Sequence, residues 1–322
     1  MQATLIFNRN AGGSDALDLE EALDAMRLAG YEPVYRPTNS EEDLDAALAH
    51  ADGLIVAAGG DGTLRAVITR LVGRERPLAV VPLGTANNVG GALRLDDEPL
   101  NLIKRLAEPR RLTYDLGRIQ GPWGTNYFLE GAGFGFFADM LHNYQPKKGK
   151  SILRGLEAFG DTLDEDYAIS GRLWIDDEHY SENYLLVEIL NTKAVGPRLK
   201  FAPDADPTDG LLDVVRIRKD SREGFLEYML NIVDGELDEL ESVAVSQARQ
   251  IKFAWTGFGI HIDAELWPPE AREDRASGKD GIRAFNIQAP EDQMITIDVL
   301  PGAIELWLPA PKEERKGGAV AP

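Results

Sequence analysis

Short apolar runs and amphipathic stretches alternate along the first third of the chain. Residues 3–8 form an apolar run, after which Leu17, Leu23 and Met26 recur at helical spacing. Ser14 is the predicted cap of that helix and Gly30 its stop. A second strand is predicted at 34–38. Ser40, with Asp43 three residues on, predicts another helix start, with Leu44, Ala47 and Leu48 turned inward. Gly53-Leu-Ile-Val-Ala-Ala is an unbroken apolar run, as expected of a parallel strand buried on both faces. A helix is predicted over 63–72 and a fourth strand over 78–83. Alternation at this pitch predicts a doubly wound α/β sheet, whose ligands lie outside the carboxyl ends of the strands. Polar, glycine-bearing clusters follow three of those strands, at 8–13, 59–63 and 84–88.

After about Arg111 the pattern becomes period two. Segments beginning at Arg172, Tyr184, Leu212, Gln250 and Ile295 alternate apolar with polar positions and are separated by turn residues, which predicts antiparallel sheet. Helical stretches are expected near 152–163 and 221–233. The expected organisation is an α/β domain over 1–122 followed by an antiparallel, β-sandwich-like domain over 123–308. Residues after about 290 are candidates to pack back on the first domain, and 309–322 reads as a frayed tail. No internal repeat is visible.

Composition narrows the chemistry. With no cysteine, disulfides, thiol nucleophiles and thiolate metal sites are excluded, and a reducing compartment is expected. The histidines at 50, 142, 179 and 261 have no zinc-site spacing. The start, MQATLIFNRN, reads as a buried strand and not as a signal peptide, and no apolar run reaches the ~18–20 residues of a membrane span, so a cytoplasmic protein is expected. The net charge of −20 opposes binding to nucleic acid. Lys147, Lys148, Lys150 and Arg154 stand out against it. They are either a solvated loop-to-helix junction or a local contact for an anionic surface, such as a membrane touched transiently, or for a phosphate.

Gly59-Gly-Asp-Gly-Thr follows a buried strand and opens a helix, the setting in which free backbone N–H groups meet an anion. Its glycines allow a tight turn and close approach of phosphate oxygens. Asp61 would repel bare phosphate, so a divalent cation is implied between them. Pro82-Leu-Gly-Thr-Ala-Asn-Asn and Asn8-Arg-Asn-Ala-Gly-Gly end neighbouring strands with similar chemistry. Neither a P-loop nor a GxGxxG fingerprint is present.

These segments, in order, resemble the diacylglycerol kinase catalytic-domain family, lipid kinases related to sphingosine kinases and NAD kinases. Glu130-Gly-Ala-Gly-Phe-Gly, Thr208-Asp-Gly-Leu-Leu-Asp-Val and Ile262-Asp-Ala-Glu extend the resemblance through the second half. It implies transfer of the terminal phosphoryl group of ATP to a lipid hydroxyl, with Mg2+ neutralising charge. Glu265 is then the base, and Asp61 acts through magnesium. The implied nucleotide contacts are Asn8, Arg9, Asn10, Ala11, Gly12, Thr38 and Thr85, with the backbone of Gly59, Gly60, Asp61, Gly62, Thr63, Leu64 and Arg65 around the phosphates. Asp209 matches a structural magnesium ligand, helped by main-chain oxygens of Asp206 and Leu211. By composition alone, Asp209-Gly is a hairpin turn and Glu265 an exposed strand carboxylate. Three positions depart from the family pattern: Arg65 for Asn, Asn88 for Asp, and Ala264 for Gly. They keep open the alternative of a nucleotide- or lipid-binding protein without turnover. A NAD kinase is the other alternative, though the pyridine-nucleotide-binding segment expected of one is not found in the second half. Oligomeric state and the identity of the lipid are not legible.

Overall fold

The computed structural model describes residues 1–38, 40–143, 167–219, 225–268 and 293–311. The helix expected near 152–163, the basic residues Lys147, Lys148, Lys150 and Arg154, and the tail from 312 lie outside the described residues. Two compact units divide the chain. One comprises Met1–Gly90, Arg94–Thr113 and the segment from Ile304, and the other Gly91–Leu93 with Tyr114–Ala303.

In the first unit, β1 (Gln2–Phe7), α1 (Leu19–Leu28), β2 (Glu32–Tyr35), α2 (Glu41–Ala49), β3 (Leu54–Gly59), α3 (Asp61–Leu71) and β4 (Leu78–Pro82) alternate as the pattern predicts. The strands pair in parallel in the order β2-β1-β3-β4. The chain passes from β1 to β2 on one side and then to β3 on the other, so β1 and β3 flank a topological switch point. Every residue of β3 is buried. Each longer helix presents an apolar stripe at spacings of three and four residues, as Leu64, Val67, Ile68 and Leu71 do on α3. α1 is capped by Asp18, which accepts from the N–H groups of Glu20 and Glu21, and not by the predicted Ser14. Ser14 instead opens a single 3-10 turn, Ser14–Ala16. The stop at Gly30 is as expected: φ is 88° and the Tyr31 N–H reaches back to the Met26 carbonyl. Ser40 caps α2 through the Asp43 N–H. The unit also holds α5 (Pro99–Lys104) and receives α4 (Asn88–Ala92) at its start.

The first of these units gives way to the second within β5 (Arg110–Gly121), which begins in one unit and ends in the other. A continuous strand carries no composition shift to mark the crossing. The second unit adds β6 (Gly124–Phe128), β7 (Gly131–Gly135), α6 (Phe136–Asn143), β8 (Ile169–Ile175), β9 (Glu178–Leu190), β10 (Leu212–Arg218), α7 (Phe225–Asp234), β11 (Val243–Ala248), β12 (Gln250–Trp255), β13 (Ile260–Ile262), β14 (Glu265–Trp267) and β15 (Gln293–Leu308). The order β14-β13-β7-β9-β8-β12-β15 is antiparallel throughout, and β10 joins β9 to β11. Alternation sends Leu212 and Val214 to one apolar cluster and Val215 and Ile217 to another, on the side of α6 and α7. The end of β15 returns to the first unit, where Leu306 pairs in parallel with Leu78 of β4.

Candidate active site

In the first unit, three strand ends converge. The loop after β1 is tied to the glycine-rich loop after β3 by Asn8, whose amide donates to Thr63 Oγ1 at 2.7 Å. It is tied to the loop after β4 by the Gly13 N–H, which donates to the Leu83 carbonyl at 2.8 Å. The two latter loops touch at glycines, where a Cβ on Gly84 would lie 2.7 Å from Gly60 Cα, and the first loop approaches the third at Gly12, whose Cβ would lie 3.0 Å from Thr85 Oγ1. Asn87, at φ 52°, clasps its own loop by accepting from the Gly84 N–H and donating to the Gly84 carbonyl.

α3 begins inside the glycine motif, at Asp61, two residues earlier than predicted. Unlike α1 and α2, it starts at a glycine, Gly60, with no side-chain cap. Its first-turn N–H groups therefore face the converged loops, where an anion is favoured. Asp61 is not a bare loop-end carboxylate. It accepts from the N–H groups of Asn88 at 3.2 Å and Val89 at 3.4 Å, strapping the β3 loop to the start of α4. Burial pushes its carboxyl above the ordinary range, against the pull of those N–H groups and that of Asn87. Asn88, the position where the family has a carboxylate, is buried and serves Asp61 through its backbone.

The remaining nucleotide candidates divide. Leu64 is buried on the core stripe of α3, and its N–H is bonded to the Gly60 carbonyl. Thr85 is exposed at the mouth of its loop, as are Arg9 and Asn10, while Ala11 is half-buried. Arg9 lies over the Tyr35 ring, 5.8 Å from its centroid. Thr38 lies beyond β2 and joins the three loops by no hydrogen bond among the described residues. Arg65 is half-buried on α3.

In the second unit, β13 and β14 form a hairpin whose two central residues, Asp263 (φ 49°) and Ala264 (φ 59°), are both left-handed. That is the twist a two-residue turn requires. Asp263 accepts from the N–H groups of Leu129, Glu130 and Gly131, so its carboxylate anchors the turn. Glu265 follows on β14 and is exposed. The Asp206–Leu211 loop is an independent feature of the same unit. Asp206 accepts from Thr208, and Asp209 accepts from the Leu211 N–H and from Gln247. Neighbouring Asp213 is pushed up to about 6, by burial first and then by the charge of Asp209. Among the described residues no three acidic or histidine side chains gather as a metal cluster.

Sequence reasoning missed two buried carboxylates. Asp115 accepts from the N–H groups of Gly210 at 2.7 Å and Gly302 at 2.6 Å and so shapes the Asp209 loop. Glu188 accepts from, or donates to, His261 Nε2 at 2.7 Å, with both side chains fully buried. A charged residue inside the apolar run Leu185-Leu-Val-Glu-Ile-Leu was the available signal.

Comparisons with known proteins bear on both halves of the chain. Residues 2–119 match the family described as "Diacylglycerol kinase catalytic domain". Residues 156–272 match the "YegS C-terminal NAD kinase beta sandwich-like domain". The "Diacylglycerol kinase" of Bacillus subtilis (strain 168) is 27% identical over 271 residues, covering 78% of this chain and 85% of the relative. A Pseudomonas aeruginosa protein named "Probable lipid kinase YegS-like" is 33% identical over 221 residues, covering 65% and 70%. A solved diacylglycerol kinase structure from Bacillus anthracis str. Sterne has a TM-score of 0.66 at 18% identity, over 95% of this chain and 96% of that one. Yeast NADH kinase complexed with NADH has a TM-score of 0.51 at 10% identity, over 97% and 84%. At such identities the two structures speak for the fold alone. The sequence relatives carry the conclusion: the chain belongs to the diacylglycerol kinase catalytic-domain family and is a lipid kinase.

Proposed function

We propose that this lipid kinase transfers the γ-phosphoryl group of ATP to the hydroxyl of diacylglycerol or a related lipid, with magnesium. The observation that carries the reading is the meeting of three glycine-bearing strand ends at the uncapped start of α3. Phosphoryl transfer asks a protein mostly for positioning and charge neutralisation, and that arrangement supplies both for a polyphosphate. The backbone from Gly59 to Arg65 holds the phosphates. Asn8 to Gly12, Thr38 and Thr85 complete the nucleotide site. Magnesium, when bound with the nucleotide, neutralises charge on the transferring group. Asp61 fits the role of its partner, because a carboxylate disfavoured by burial gains most from a nearby cation. Asp209, with main-chain oxygens of Asp206 and Leu211, is the candidate for a second, structural magnesium. The upward shift of Asp213 comes first from burial and then from the charge of Asp209, and a cation at the loop would relieve that second contribution. Glu265 accepts the acceptor's proton.

No described helix is long and apolar enough to cross a membrane, and we place the protein in the cytoplasm with transient contact at the membrane surface. The acceptor hydroxyl then has to be reached from the bilayer face. Radiolabelled ATP offered with a total lipid extract, with dispersed diacylglycerol and with NAD tests the reading. Label is expected in the lipid phase. Glu265→Gln should bind ATP within about threefold of the parent while kcat falls by roughly 10²–10⁴. Label in NAD, ATP binding without transfer to any lipid, or a fully active Glu265→Gln protein would each overturn part of it, identifying in turn a NAD kinase, a silent binder or a base elsewhere.

A further inference from the structure

We infer that the buried Glu188–His261 pair is a positioning device for the hairpin that carries Glu265; the inference rests on the reading of Glu265 as the base. The register of three strands makes the pair. Glu188 of β9 stands opposite Gly133 of β7, and Gly133 stands opposite His261 of β13. Two strand spacings, about 10 Å, therefore separate the backbones of Glu188 and His261. The two side chains close that distance because Gly133 has none: a Cβ there would collide with the Glu188 carboxylate and the Val187 carbonyl. The result is a 2.7 Å bond running over the middle strand.

The surroundings are apolar. On one face of β13, Ile260 and Ile262 enter the main core, and on the other His261 meets the edge of the Phe137 ring at 4.7 Å between centroids. Both partners are fully buried, and among the described residues His261 Nδ1 and Glu188 Oε1 have no hydrogen-bond partner. A well-packed apolar pair is often as stable as a buried polar one, or more so. What the polar pair adds is direction, a fixed distance between β9 and β13.

That distance matters at Glu265. The strands of its hairpin are three residues each, too short to hold their own register. Asp263 anchors the turn on the N–H groups of Leu129 to Gly131. Trp267 holds the far end of β14 against Trp123, at 6.4 Å between ring centroids. His261 holds β13 between them, one residue from Ile262, which pairs with Glu265. A general base misplaced by ~1 Å loses on the order of 10²-fold in rate, so loss of this hold should be read in turnover before it is read in stability.

The test is the full-length Glu188→Leu/His261→Leu protein, assayed on detergent-dispersed diacylglycerol with ATP affinity measured by calorimetry. The expected result is a melting temperature within a few degrees of the parent, ATP affinity unchanged within about twofold, and kcat reduced at least tenfold. Glu188→Gln, which keeps shape and a hydrogen bond, should recover most of that loss. Added to Glu265→Gln, the leucine pair should cost less than about twofold more, since the group it positions is already silenced. Parental kcat in the leucine pair, or a full additional loss in the Glu265→Gln background, overturns the inference. If the leucine pair does not fold, His261→Phe, which keeps the bulk of the ring and loses the bond to Glu188, takes its place, and parental kcat in that variant overturns the inference instead. A Glu265→Gln protein as active as the parent removes the base and this inference with it. That outcome is distinct from an inactive Glu265→Gln beside a fully active leucine pair, which overturns the positioning role alone.

Discussion

Ala264 and Asp263 form a turn whose geometry favours residues other than alanine. A Cβ at φ 59° costs about 1–2 kcal/mol in the left-handed region, whereas Asp263 tolerates it through its side-chain hydrogen bonds. Ala264→Gly is therefore expected to stabilise the protein by up to ~1 kcal/mol in urea unfolding, part of the relief being offset by the freer unfolded glycine. A clear loss of stability would show that the packing of Ala264 beside Gly196 outweighs the strain. Asp61 carries the second residue-scale prediction. Asp61→Asn should lower turnover by orders of magnitude, and because the carboxylate also straps two loops, unfolding should shift by about 1 kcal/mol. A folded Asp61→Asn protein with near-parental turnover would remove Asp61 from the chemistry and leave it as a strap. The strap itself could not be read from the sequence, since its donors are backbone groups 27 and 28 residues away.

Helix starts show how local chemistry and ligand chemistry differ. α1 and α2 are closed by Asp18 and Ser40, as water-facing helix ends require. Asp18→Ala should cost ~1 kcal/mol in thermal or urea unfolding, and Ser14→Ala less than half of that. Equal effects would return the cap to Ser14. Both residues are ordinary capping types four positions apart, and the pattern of Leu17 and Leu23 suits either start, so the sequence alone did not choose. α3 lacks a side-chain cap, and its glycines keep Cβ atoms out of the space between Gly60 and Gly84. An open, uncapped end is what the proposed nucleotide site requires, and it coincides with the motif that drew attention in the sequence.

At the scale of the whole molecule, stability should depend on pH through buried carboxyls. Asp139 of α6 is buried, accepts from the Tyr167 hydroxyl, and is pushed up to about 6 by burial. A folded-state value above the unfolded 3.8 means that the native protein binds the proton more tightly. This group's contribution is then fully present below about 4 and is lost as pH rises through 6. Asp139→Asn keeps an acceptor for Tyr167 but removes the ionisation. Its stability is expected to match the parent's at about pH 3 and exceed it by up to ~3 kcal/mol at pH 8, as read from urea unfolding across that range. Parallel pH curves for the two proteins would show that the charge of Asp139 is compensated in the fold.

Some of this protein was decided by the chain alone. Hydrophobic period sets the class of each unit: unbroken apolar runs such as 54–59 must be buried on both faces, and alternating runs such as Leu212–Arg218 must divide their side chains between two. The order of the glycine-bearing strand ends, with Asp61 among the marked residues, was legible because local backbone demands are written in residue type, whereas Glu265 was marked only by the family resemblance. Tertiary structure decided what depends on partners distant in sequence. The Glu188–His261 bond exists only because β7 puts a glycine between them, 73 residues of chain are closed by it, and no local pattern encodes that register. The same holds for Asp115, whose two N–H donors come from the loop at Gly210 and from Gly302 within β15. Burial made these carboxylates structural, and burial is a property of the packed sheet, not of any segment of the sequence.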